Sequence, residues 1–164
     1  MAVDLFSHVA LLRKQLTVAE HLLDKAEAHA AGEAFLDWRL AEDMHPLRFQ
    51  VMVVRNFAVQ WPARVAGVDV PPNVESTLDL AGFRAALAEA GAFLDALTPD
   101  RFAGRDDVRL THRLGEAMEP TMPLGDWLVR FALPNVFFHL SMVYAILRGR
   151  GVPLGKLDFF GGAL

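Results

Sequence analysis

The sequence predicts an all-α protein, a four-helix bundle with one small hairpin between helices three and four. Three observations carry this: four long stretches in which apolar residues recur at spacings of four and three, Gly and Pro clusters between them, and an apolar run from Phe131 to Leu147 long enough to be the bundle's central helix. At 164 residues the chain is one domain, residues 1–164, large enough to bury roughly 70% of the surface its unfolded form exposes.

Helix one is expected to begin at Asp4 as cap and to stop near Gly32. Leu5, Val9, Leu12, Leu16, Ala19, Leu23, Ala26 and Ala30 form its stripe, and Leu11, Val18 and Leu22 widen it toward a second neighbour. His8, His21 and His29 share no ligand spacing and read as surface or packing residues. The following segment carries Phe35, Leu36, Trp38 and Leu40, is too apolar for a free loop, and should lie across the bundle. Asp43 reads as the cap of helix two, with His45 and Pro46 in its first turn and a stripe of Leu47, Val51, Val54, Ala58, Trp61 and Val65 running to about Ala66.

Pro71-Pro72 marks an extended linker, and Ser76 or Thr77 is the expected cap of helix three. Its stripe is Leu80, Phe83, Leu87, Ala90, Leu94 and Leu97, followed by a short extra turn at Thr98-Pro99-Asp100. Alternation around Val108–Thr111 favours a hairpin, with Pro120 and Pro123 restricting its second strand to an edge. Helix four should run from near Gly125 to Leu147 on the rhythm Leu124, Leu128, Phe131, Asn135, Phe138, Met142, Ala145, which places Asn135 on the core stripe. At 17 residues with Pro134, Asn135, His139 and Ser141 inside it, the Phe131–Leu147 run reads as a buried helix and not a membrane span.

Composition narrows the function classes. Sixteen basic residues against twenty acidic ones, without a basic cluster, argue against a nucleic-acid surface. The lack of cysteine removes disulfides, thiolate metal sites and cysteine nucleophiles, and the N-terminus lacks the pattern of a signal peptide, so a cytoplasmic location is expected. Hydrophobic residues at 53% and a mean hydropathy of +0.25 are more apolar material than a small monomer easily hides, which points to a homodimer. No nucleophile elbow or phosphate loop is present.

The candidate site is on helix four. Pro134 cannot donate to the carbonyl of Arg130, so the hydrogen-bond ladder should open or kink there, and Asn135 and His139, four apart, share a face. His45 and Asp43 would approach if helices two and four pack. The competing reading is a polar core feature in which Asn135 serves the freed carbonyl and His139 bonds across the bundle. Tyr144 is a further pocket candidate or a packing residue. The closing Gly151–Gly161 segment should dock on the bundle with Lys156 and Asp158 solvated or paired.

The stretches Leu23–His29, Arg39–Met44, Phe131–His139 and Gly151–Lys156 together resemble an uncharacterised, domain-of-unknown-function branch of the DinB/YfiT-like superfamily. The resemblance implies a four-helix bundle, often dimeric, with metal-dependent relatives such as thiol transferases acting on small molecules. In those relatives one histidine comes from helix two and a pair four apart from the last helix. His45 and His139 would supply two ligands here, but Val143 stands where the second member of the pair is expected. The expectation is a small-molecule pocket with a degraded metal site and no cofactor. The alternatives are a transferase or hydrolase using zinc or nickel and a purely structural interaction protein; the substrate is not identified by the sequence.

Overall fold

The computed structural model describes residues 4–162. Four helices make the bundle: α1 (Ser7–His29), α2 (Leu47–Ala66), α3 (Leu80–Asp95) and α4 (Leu124–Gly149). Two short strands, β1 (Arg109–Thr111) and β2 (Thr121–Pro123), pair antiparallel with Leu110 opposite Met122. Pro123 is tolerated because a two-stranded ribbon has only edges. The sequence-predicted stripes of the first three helices are buried from Leu5 to Ala26, Leu47 to Val65 and Leu80 to Leu97.

Helix directions follow from cross-helix pairs. Arg84 of α3 bonds Asp24 and Glu27 of α1, and Arg13 bonds Asp95, so these two are antiparallel. Phe57 meets Phe131 and Trp61 meets Trp127, so α2 and α4 are antiparallel as well and form the most extensive helix pair. Between α2 and α3 the linker runs back along α2. Its backbone groups lie outside regular structure and need partners. Asn56 donates to Val74 O at 3.1 Å and accepts from Val74 N at 3.0 Å, while Arg55 Nη1 donates to Pro72 O at 2.8 Å. Arg55 and Asn56 are buried polar residues of α2 whose role is to hold this strap. Burial lowers the Arg55 pKa, with Glu89 acting in the opposite sense.

Three caps differ from expectation. Asp79 caps α3, its carboxylate accepting from Gly82 N at 2.7 Å, in place of Ser76 or Thr77. Asp43 does not cap α2; Pro46 occupies the cap position in extended conformation and His45 precedes the helix. Asp4 does not cap α1 either; it accepts from Phe6 N at 3.1 Å in the turn before the helix, where Phe6 holds the cap position without a side-chain bond.

The largest correction concerns α4. Trp127–Ala132 is a π-turn, with Leu133 N reaching back five residues to Leu128 O, and it ends just before Pro134. The opened ladder expected from the proline takes this form. A π-turn inserts one extra residue, so a count of four and three carried through it lands one residue short. Phe131, Asn135, Met142 and Ala145 are only half-buried; the core positions are Ala132, Val136, Val143 and Ile146, each one residue further on. Phe138 is 56% exposed and Leu140 is buried. Asn135 is therefore on the α2-facing flank and not on the core stripe. By length and a mean hydropathy of 1.3, α4 is the one helix among the described residues apolar enough to cross a membrane. Here it packs between α1 and α2 as the bundle's central helix.

Candidate functional site

The α2–α4 groove collects the polar residues of interest at the N-terminal end of α2. Gln50 is the pivot. It is 3% exposed, and its amide donates to the His45 carbonyl at 3.0 Å, which fixes the orientation of the side chain. Its oxygen then faces His139 Nδ1 at 2.7 Å. An amide oxygen only accepts, so His139 Nδ1 carries the proton and Nε2 is left with a lone pair. Burial, and secondarily the nearby His45, lowers the His139 pKa from its ordinary 6.5, which keeps that lone pair available at neutral pH.

The walls of the site are aromatic. His45 is exposed and stacks on Phe49 with ring centroids 3.8 Å apart, and Phe49 meets His139 edge-on at 6.2 Å. The exposed Phe138 lies edge-on to His139 at 5.2 Å. His45 and His139 thus converge on one ring. Asn135 shares their flank, but its amide donates to Phe131 O at 2.7 Å, its own helix, and not to the Arg130 carbonyl. Asp43 is exposed and caps nothing. Tyr144 belongs to the opposite flank of α4, edge-on to Phe159 at 6.0 Å.

Whether these residues fit a metal follows from the donor set. His139 offers one nitrogen, His45 is held against Phe49, and Val143 is a fully buried core residue. Among the described residues no three His, Asp or Glu side chains are grouped closely enough to hold an ion. A catalytic zinc site uses three protein ligands and an open position, and this set does not meet that requirement.

Gln50 and Phe49 were not among the residues singled out from sequence. The available signal was a polar side chain immediately beside the Leu47–Val51–Val54 stripe. One prediction arises here. Because the folded His139 has a lowered pKa, the unfolded chain takes up a proton first as pH falls through 6.5, and stability is lost in that window. Urea midpoints measured at pH 7.5 and 5.5 should fall more for the native protein than for His139→Gln, which keeps an N–H for Gln50 but does not titrate.

At the other end of the groove Trp61 and Trp127 stack at 4.7 Å, with His112 edge-on to both and Arg64 over Trp61 at 5.2 Å. Trp127 Nε1 donates to Leu110 O at 2.9 Å and so fastens the hairpin to α4. Burial and Arg64 lower the His112 pKa. This cluster closes the groove structurally.

Comparison with known proteins agrees with the geometry. The domain of unknown function DUF1993 matches residues 6–160. The chain is similar to the crystal structure of a DinB family member protein from Shewanella denitrificans, with 28% sequence identity, a TM-score of 0.83, and coverage of 93% of this chain and 89% of that one. No curated protein matches. The chain belongs to the DUF1993 family, an uncharacterised family with the DinB-like helical bundle.

Proposed function

We propose that the protein is a homodimeric, small-molecule-binding bundle in which the metal site of its superfamily has been reduced to a single recognition imidazole. The observation that carries this reading is the oriented His139. Gln50 fixes its tautomer and leaves Nε2 as one hydrogen-bond acceptor among the rings of His45, Phe49 and Phe138. Such a wall suits a small planar molecule that stacks on an aromatic face and donates one hydrogen bond. The exposed Phe138 and the half-buried Phe131 and Met142 supply apolar surface for pairing of subunits.

A second reading is kept by the same feature. A histidine whose Nδ1–H is held by a carbonyl oxygen is oriented as metal-ligating histidines usually are, which favours a metal-dependent transferase or hydrolase. Elemental analysis of tag-free protein prepared without chelator separates the two, with His139→Ala in parallel. The expected result is no stoichiometric zinc or nickel in either protein. A planar ligand at a hundredfold its Kd should add about 2.7 kcal/mol to native stability and nothing to His139→Ala. Stoichiometric metal that disappears in His139→Ala would overturn the degraded-site reading and favour the metal-dependent one. A ligand screen without a thermal shift, beside a stable oligomer by light scattering, would identify an interaction protein.

A further inference from the structure

The segment after α4 turns at Val152 and runs back along α1, antiparallel to it. Asp158 fastens it: its carboxylate accepts from Gly155 N at 2.7 Å, meets His21 Nε2 at 2.8 Å and lies 3.6 Å from Lys25 Nζ. The Gly155 N–H, reinforced by His21, lowers the Asp158 pKa, so the latch is ionised across the neutral range. The latched segment sets Phe159 and Phe160 over the outer groove between α1 and α4. It leaves a cavity on each side of them. One, of 260 Å³, is lined by Ser141, Tyr144, Lys156, Phe159 and Phe160. The other, of 240 Å³, shares Phe159 and Phe160 and is completed by Leu11, Lys14, Val18 and Phe137.

The type of cation distinguishes this groove from the rest of the surface. The chain has three lysines among its sixteen basic residues, Lys14, Lys25 and Lys156, and all three belong here. One lines each cavity and the third steadies the latch. Two of the three acidic residues of α1, Asp24 and Glu27, are turned the other way, to Arg84 of α3. The carboxylate in the groove, Asp158, is already engaged by a backbone N–H, a histidine and a lysine. A protein of net charge -4 thus gathers amines around two adjoining apolar cavities. Each is slightly smaller than the roughly 300 Å³ at which ligand pockets usually begin, which suits a slender ligand lying along Phe159 and Phe160.

We infer that the α1–α4 groove under the C-terminal segment is a second ligand site, which binds a medium-chain monocarboxylate. The alkyl chain lies against Phe137, Phe159 and Phe160, and the carboxylate is held by Lys156 or Lys14 at either end. Long flexible amines suit this role, because a lysine can follow a carboxylate while its methylenes extend the apolar wall. Binding is non-covalent and independent of His139, which faces α2 from the other flank of α4.

The test is calorimetric titration of the full-length protein with decanoate below its micelle concentration, with decanol and decyltrimethylammonium as neutral and cationic controls. Decanoate is expected to bind saturably and at least about tenfold more tightly than either control. Lys14→Met and Lys156→Met together should remove about fivefold or more of that preference, as expected for partly solvated ion pairs, without changing decanol binding. The double Lys→Arg variant should retain it. His139→Ala should bind decanoate as the native protein does, which keeps this result separate from the α2–α4 reading. Equal binding of decanoate and decanol, no binding, or a decanoate affinity that follows His139 and ignores the lysines would each overturn the inference. So would light scattering in which Phe160→Asp dissociates a dimer that decanoate leaves intact, since the groove would then be covered by a second copy.

Discussion

Trp127→Ala is expected to cost about 3–5 kcal/mol, the range for removing a large ring from a closed core. Trp127 is fully buried and stacks on Trp61 at an interplanar angle of 15°, with Phe131 edge-on at 5.3 Å. Its loss empties the centre of the α2–α4 contact. It also removes the indole hydrogen bond to the Leu110 carbonyl, which ties the hairpin to α4 and adds about 1 kcal/mol. In a domain of this size, where 1 kcal/mol corresponds to about 2–4 °C, the melting temperature should fall by roughly 8–24 °C. Trp127→Phe should cost less than the alanine, because it keeps one ring in the stack while losing the N–H and part of the indole volume. Thermal unfolding of both variants tests this, and a cost below about 1 kcal/mol for the alanine would show that the cluster does not close the groove.

The same pair illustrates what the sequence could and could not disclose. Trp61 was legible as a core residue because it repeats with Ala58 and Val65 on one face of a regular helix, and periodicity is a local property. Its partner is 66 positions away and no local pattern announces it. The same is true of Gln50 and His139, separated by 89 residues: the histidine was conspicuous beside Pro134, whereas the glutamine that fixes its tautomer reads alone as an ordinary polar residue. Caps failed for a different reason. Asp43, Ser76 and Thr77 are all good acceptors by type, but capping depends on where the chain turns into the helix. That point was set by Pro46 in one case and by Asp79 in the other. The C-terminal segment was legible as a docked element because its Val152, Leu154 and Phe159 require cover. The hydrogen bond that latches its Asp158 to His21 was not.

The phase of α4 gives the second large effect and discriminates between two readings of one sequence. A continuous α-helix counted from Leu124 and Leu128 puts Asn135 in the core and Val136 beside it. The π-turn over Trp127–Ala132 reverses that assignment. Val136 is fully buried, so Val136→Asn loses about 1.5–3 kcal/mol of burial and places an amide where it has no partner, at a further cost of about 1–3 kcal/mol. A total of about 2.5–6 kcal/mol is expected. Asn135→Leu gives up one hydrogen bond to Phe131 O at a half-buried position, where solvent can replace the donor, and should stay within about 1 kcal/mol of the native protein. Denaturant titration of the two variants therefore has a predicted order, and the uninterrupted helix predicts the opposite one. If Asn135→Leu proved neutral and Val136→Asn did too, neither phase would hold and the helix would have to be loosely packed over this turn. The native order requires that His139, four residues beyond Asn135, be rotated onto the α2 flank, which is the geometry that brings its Nδ1 to Gln50.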